Sequence, residues 1–188
     1  MTNQSLVATL LALRDENAIE AFLKAQQANL TTELMAELEE RINRLRLEDP
    51  HEALRVAEVM LLAASCLADE RIRATALRLK GNILLPLGHY EHSVACYAEA
   101  KLIRTRFGQQ LEIARVQIGW TAALINLSRY HEALELALVT QNILVEHEKW
   151  GLLANLEMNM GRLYRLTDRI WLPTPPSART TRSFPTSN

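Results

Sequence analysis

The chain has little of the residues that staple or bend a fold: two cysteines, six glycines and six prolines in 188 residues. Cys66 and Cys96 lie inside helical patterns and outside any C-x-x-C pair. They do not suggest a disulfide framework, and a reducing cytoplasm fits them. Glycine and proline are too sparse for an all-β fold of many short strands. No apolar run approaches the ~20 residues of a membrane span. The N-terminal run Leu6 to Leu13 lacks a basic start and leads into Arg14, Asp15 and Glu16, which does not read as a signal peptide. Neither sign of charge dominates: 21 basic and 22 acidic side chains leave a net charge of −1. That balance removes the electrostatic case for binding a nucleic-acid backbone. Apolar residues make up 48% of the chain, so wholesale disorder is excluded.

Apolar residues recur at spacings of three and four throughout residues 5 to 166. This is the helical period, with no sustained alternation. The pattern predicts helices near 5–13, 17–29, 32–47, 51–68, 71–87, 90–107, 110–128, 130–147 and 150–168. The breaks carry turn chemistry: Asp49-Pro50, Gly88, Phe107-Gly108 and Ser128-Arg129. After Asp168 the composition changes. The last twenty residues hold Arg169, Arg179 and Arg182, no acid, and the prolines 173, 175, 176 and 185. Such a segment buries too little apolar surface to offset its ordering entropy, so a disordered tail is expected over 169–188. Residues 1–168 then carry a net charge of −4 and the tail +3.

The chain also repeats itself. Gly88-His-Tyr90 aligns with Ser128-Arg-Tyr130 at an offset of 40. The same offset relates Gly81, Thr121 and Gly161; Leu84, Leu124 and Tyr164; Ala53, Ser93 and Ala133; and Ala57, Tyr97 and Ala137. Each unit reads as two antiparallel helices joined by a tight turn. Small residues sit where helices cross, and large ones fill the gaps between units. One such pair cannot bury its own face, so neighbours must stack.

Leu77-x-x-Lys80-Gly81-Asn82-x-Leu84 followed by Gly88-His-Tyr90-x-x-Ser93-x-x-x-Tyr97-x-x-Ala100 resembles a tetratricopeptide repeat. Unit three is similar through Trp120, Leu124, Tyr130, Ala133 and Ala137. The resemblance spans about residues 31–168 and is weaker over 31–70, where Arg41 and Arg44 replace core types. Ser93 stands where the family prefers alanine, and the units are longer than the family's usual 34 residues. Long units of this sort resemble the N-terminal helical arms of bacterial CHAT-domain signalling proteins. HEAT or armadillo repeats are the structural alternative. The resemblance implies an all-α, right-handed α-solenoid of antiparallel helix pairs. It divides the chain into an N-terminal helical cap (1–30) and units at about 31–70, 71–109, 110–149 and a partial 150–168. The second helix of unit four is missing. Either 150–168 is a capping helix, or the chain is a shortened copy of a longer repeat protein.

No catalytic motif is found. The glycines are isolated, which excludes a phosphate-cradling loop, and there is no G-x-S-x-G elbow. His51-Glu52 and His131-Glu132 begin like a zinc-protease motif, but Arg55 and Glu135 stand where its second histidine belongs. His89, His92 and Cys96 share one helix face, yet no fourth ligand accompanies them. The expectation is therefore a non-enzyme without metal or cofactor.

In the resembling family the first helices line a concave groove. The resemblance places Thr75, Arg78, Asn82 and Leu85 there from unit two. Units three and four add Arg115, Ile118, Ala122 and Ile125, then Asn155, Met158, Arg162 and Arg165. The candidate groove residues are Arg78, Asn82, Leu85, Arg115, Ile118, Asn155, Arg162 and Arg165. Four arginines and two asparagines without an acid suit an acidic or C-terminal peptide segment. The competing reading pairs these arginines with the chain's own acids, such as Asp69, Glu70 and Glu112. The family's carboxylate clamp is incomplete: Arg78 and Asn82 fit its first part, but Gly119 stands where a second asparagine would be. The expected function is peptide or partner binding by a cytoplasmic scaffold or signalling arm, without nucleic-acid or membrane binding. The alternative is a structural protein that self-associates through its C-terminal end.

Overall fold

A computed structural model describes residues 3–171, with side chains described for 5–167. The order is α1 (Asn3–Ala12), α2 (Glu16–Ala25), a 3₁₀ turn (Gln27–Asn29), α3 (Thr32–Glu48), α4 (Pro50–Leu67) and α5 (Glu70–Leu84). Then come α6 (Tyr90–Arg106), α7 (Gln110–Asn126), α8 (Tyr130–Glu146) and α9 (Trp150–Trp171). The described residues are all-helical, with no strand among them. The final helix runs three residues past its expected end, into a segment expected to be disordered. The rest of that tail, from 172 on, lies outside the described residues.

The helix starts follow from their caps. Asp15, Thr31, Asp49 and Asp69 each accept a hydrogen bond from a backbone N–H in the first turn, satisfying a donor the helix itself cannot. Pro50 opens α4 rather than merely preceding it, because the first helical position needs no N–H. The ends share one device. Ala68, Gly88, Gly108, Ser128 and Glu148 all have positive φ, and they recur every 20 residues. In each case the next residue's N–H bonds back across the turn, as from His89 to Leu84 and from Arg129 to Leu124. The backbone thus repeats at half the stride read from the side chains. Alternate helices meet different surroundings, so side-chain types recur only every second helix. Helix α5 stops at Leu84, short of the predicted residue 87, where Pro86 removes a backbone donor.

From α3 to α9 each helix packs on the next. Turns of one to five residues make neighbours antiparallel, and the result is a consecutive array, an α-solenoid. The first helices also touch one another: α3 with α5, α5 with α7, and α7 with α9. Helices α4, α6 and α8 approach one another less. An array closer-packed in one layer curves toward that layer, which makes α3, α5, α7 and α9 the inner wall. The cap joins through α1 on α3 and α2 on α4. Arg55 fastens it by donating to the carbonyl of Leu11 at 2.9 Å while also bonding the Glu52 carboxylate. Glu52 of the His51-Glu52 motif therefore serves an ion pair at the start of α4.

Candidate functional site

Tyr97 organises the middle of the inner wall. It projects from α6, is fully buried, and reaches between α5 and α7. A Cβ at Gly81 would lie 2.6 Å from Tyr97 Cε1, and one at Gly119 would lie 2.5 Å from its hydroxyl. The ring therefore rests on bare backbone of two successive inner helices. Its hydroxyl donates to Asn82 Oδ1 at 2.7 Å. Ser93, which the repeat pattern marks as a departure, donates to the Gly81 carbonyl at 2.8 Å. That bond gives the buried serine hydroxyl a partner.

Burial pushes the Tyr97 phenol well above its ordinary value. The native state thus holds this proton more tightly than the unfolded chain. The contribution is intact below the unfolded phenol value of about 10 and is lost as pH rises through the folded one. Stability should accordingly fall from about pH 10 upward. Tyr97→Phe should move the alkaline unfolding midpoint up, while costing about 1 kcal/mol at pH 7 through the lost hydrogen bond. Denaturant melts across pH 7–11 check both signs.

Beside Tyr97 the inner wall opens into a cleft of about 450 Å³, lined by Arg46, Arg78, Asn82, Arg115, Ile118, Gly119, Leu152, Asn155, Met158 and Asn159. Helices α3, α5, α7 and α9 all contribute. No carboxylate lines it, although the folded body is acidic overall. The bond from Tyr97 engages the carbonyl oxygen of Asn82, which leaves its amide group as the donor for a ligand. Asn159 donates to the Ile118 carbonyl at 3.1 Å, which leaves its own oxygen as an acceptor.

The arginines differ in how far the protein already uses them. Arg78 bonds Glu39 of α3 at 2.8 Å, and its side chain is only 15% exposed. Arg115 has a longer contact of 3.5 Å with Glu112 on its own helix and is half exposed. Arg46 makes no ion pair among the described residues. Its Nε is buried without a hydrogen-bond partner, as is that of Arg78. Nearby Arg104 is 6% exposed and bonds neutral partners, Gln109 at 2.6 Å and Thr75 at 2.5 Å. Burial draws its guanidinium below the ordinary arginine value. Asp69 caps α5 rather than pairing with a groove arginine.

Of the eight candidate residues, the cleft brings together Arg78, Asn82, Arg115, Ile118 and Asn155. Leu85 lies beyond the end of α5 and packs on the cluster around Tyr97. Arg162 bonds Asn126 of α7 at 2.6 Å, outside the cleft lining. Arg165 is exposed outside it as well. Two polar contributors were missed, along with the apolar Leu152. Asn159 follows Asn155 by one helical turn, a spacing that could have identified it. Arg46 lies in the weakest unit and off the repeat register, so no sequence signal singled it out. Among the described residues, no group of three or more His, Cys, Asp or Glu is placed to hold a metal ion. No helix of the described residues is long and apolar enough to cross a membrane.

No protein-family model matches the chain, and comparison with curated proteins finds no significant match. The residues of the cleft therefore carry the functional reading by themselves.

Proposed function

We propose that the chain is a non-catalytic interaction module. Its inner-wall cleft takes an acidic or C-terminal segment of a partner protein. The observation that carries this reading is a wall of three arginines and three asparagines with no carboxylate in its lining. Arginine grips a carboxylate with two parallel donors, and asparagine can meet both polar groups of an extended backbone. The four inner helices supply these groups from a rigid frame, so recognition would proceed on a preformed surface with affinity from a few anchors. The tetratricopeptide resemblance supports the same face, because that family uses its first helices for binding. A scaffold or signalling arm in the cytoplasm is the setting this reading favours.

The test uses a pool of fluorescent peptides with acidic C-terminal segments and free carboxylates. Matched controls are amidated or carry lysine for each acid. Fluorescence polarisation should show the acidic pool binding, with affinity falling as salt rises. Arg115→Glu should weaken binding at least about tenfold, with little change in melting temperature because Arg115 is half exposed. Equal binding of the lysine pool would sink this reading.

A further inference from the structure

Helix α9 is the last helix among the described residues, and none of them covers one of its sides. On α5, the side bearing Gly81 is filled by Tyr97 of the following helix. Gly161 holds the corresponding place on α9, 80 residues on, and nothing among the described residues lies within 4 Å of where its Cβ would be. Trp150, Met158 and Tyr164 are 60%, 67% and 46% exposed. They share this side with Ala154 and Gly161, because spacings of three and four stack on one helix face.

The charges on that face point to its occupant. Glu157 and Arg165 lie four residues before and four residues after Gly161. Both are exposed, and neither makes an ion pair among the described residues. Eight residues apart, they are separated by about 12 Å along their own helix and do not meet. When a second copy of α9 lies antiparallel against the first, centred on Gly161, residues equally far from the glycine come level. Glu157 then stands beside Arg165 of the second copy, and symmetry makes the contact twice. Met158 likewise stands beside Tyr164 of the second copy, also twice. Parallel pairing would instead set Glu157 beside Glu157 and Arg165 beside Arg165, which repel. The missing side chain at Gly161 lets the two backbones approach at the crossing.

We propose that the chain forms a two-fold dimer through antiparallel α9–α9 pairing centred on Gly161. The crossing point and the charge pairs lie outside the cleft, since Gly161, Glu157 and Arg165 do not line it, whereas Met158 borders both surfaces. One helix face is a small interface, below about 1,200 Å² in total, so the dimer belongs to the weak, reversible class.

Sedimentation velocity on the full chain, at concentrations up to about 1 mM, tests this. A reversible monomer–dimer equilibrium is expected. Glu157→Arg and Arg165→Glu should each weaken it at least about tenfold, by setting like charges together. The two combined should restore wild-type affinity, because the pairs re-form with exchanged polarity. Gly161→Leu should give monomers with unchanged helical circular dichroism. A wild type that stays monomeric would overturn the proposal. So would a dimer indifferent to these substitutions, or a combined reversal no tighter than the single ones.

Discussion

Tyr97→Ala should destabilise the chain by about 3–5 kcal/mol, the usual cost of deleting a fully buried aromatic. The argument is geometric. The ring fills the space between Gly81 of α5 and Gly119 of α7. Its loss leaves a cavity lined by backbone, and backbone relaxes less than side chains do. It also leaves Asn82 Oδ1 without its donor. Whole-domain stability is only about 5–15 kcal/mol, so this single change removes a large share of it. In an array, stability is a sum over units and their interfaces. The loss should therefore centre on α5 to α7, where hydrogen exchange would report the greatest loss of protection. Denaturant unfolding gives the total. A loss under about 1 kcal/mol would mean that the ring does not hold the two helices together.

Gly119→Ala should be harmful in the wild type and helpful once Tyr97 is gone. The new Cβ would sit 2.5 Å from the Tyr97 hydroxyl and 2.9 Å from Asn82 Oδ1. Both are held by the hydrogen bond between them, and the Tyr97 ring is fully buried. Overpacking of this kind costs about 1–3 kcal/mol. In the Tyr97→Ala background the ring is gone, and the half-buried Asn82, released from its bond to the tyrosine, is free to turn aside. Alanine should then gain about 0.5–1 kcal/mol over glycine inside α7, through helix propensity alone. A change of sign between backgrounds is the expected signature of direct contact, and a double-mutant cycle measures it. The same cost in both backgrounds would show that Tyr97 is not the reason for the glycine. The geometry also explains why the clamp-like pattern stops at Gly119: an asparagine there would collide with the tyrosine.

The helices were legible because their signals are local. Apolar residues at spacings of three and four give the helix, and Gly88, Gly108 and Ser128 close it in left-handed geometry. Those features depend on a few neighbouring residues, and the structure reproduces every predicted helix to within a few positions. The 40-residue repeat was legible for a related reason, since like environments call for like side chains. The 20-residue stride of the turns was hidden, because Ala68 and Glu148 give no hint of positive φ.

The cleft was only partly legible. The tetratricopeptide resemblance proposed Arg78, Asn82, Arg115, Ile118 and Asn155 for one wall, and the cleft brings these five together. The resemblance could not place Arg46, whose approach depends on how α3 stacks against α5. Nor could it separate Arg162, which turns to Asn126, from the arginines of the cleft.

The amino-acid order by itself determined the helices and most of the turns between them, because backbone geometry and burial period are short-range properties. Tertiary structure alone decided which arginines are committed to ion pairs across the array and which are not. Arg78 meets Glu39 from 39 residues away, and Tyr97 makes Gly119 necessary from another helix. Contacts of that range are set by the angle and depth at which helices stack, a property of the assembled array.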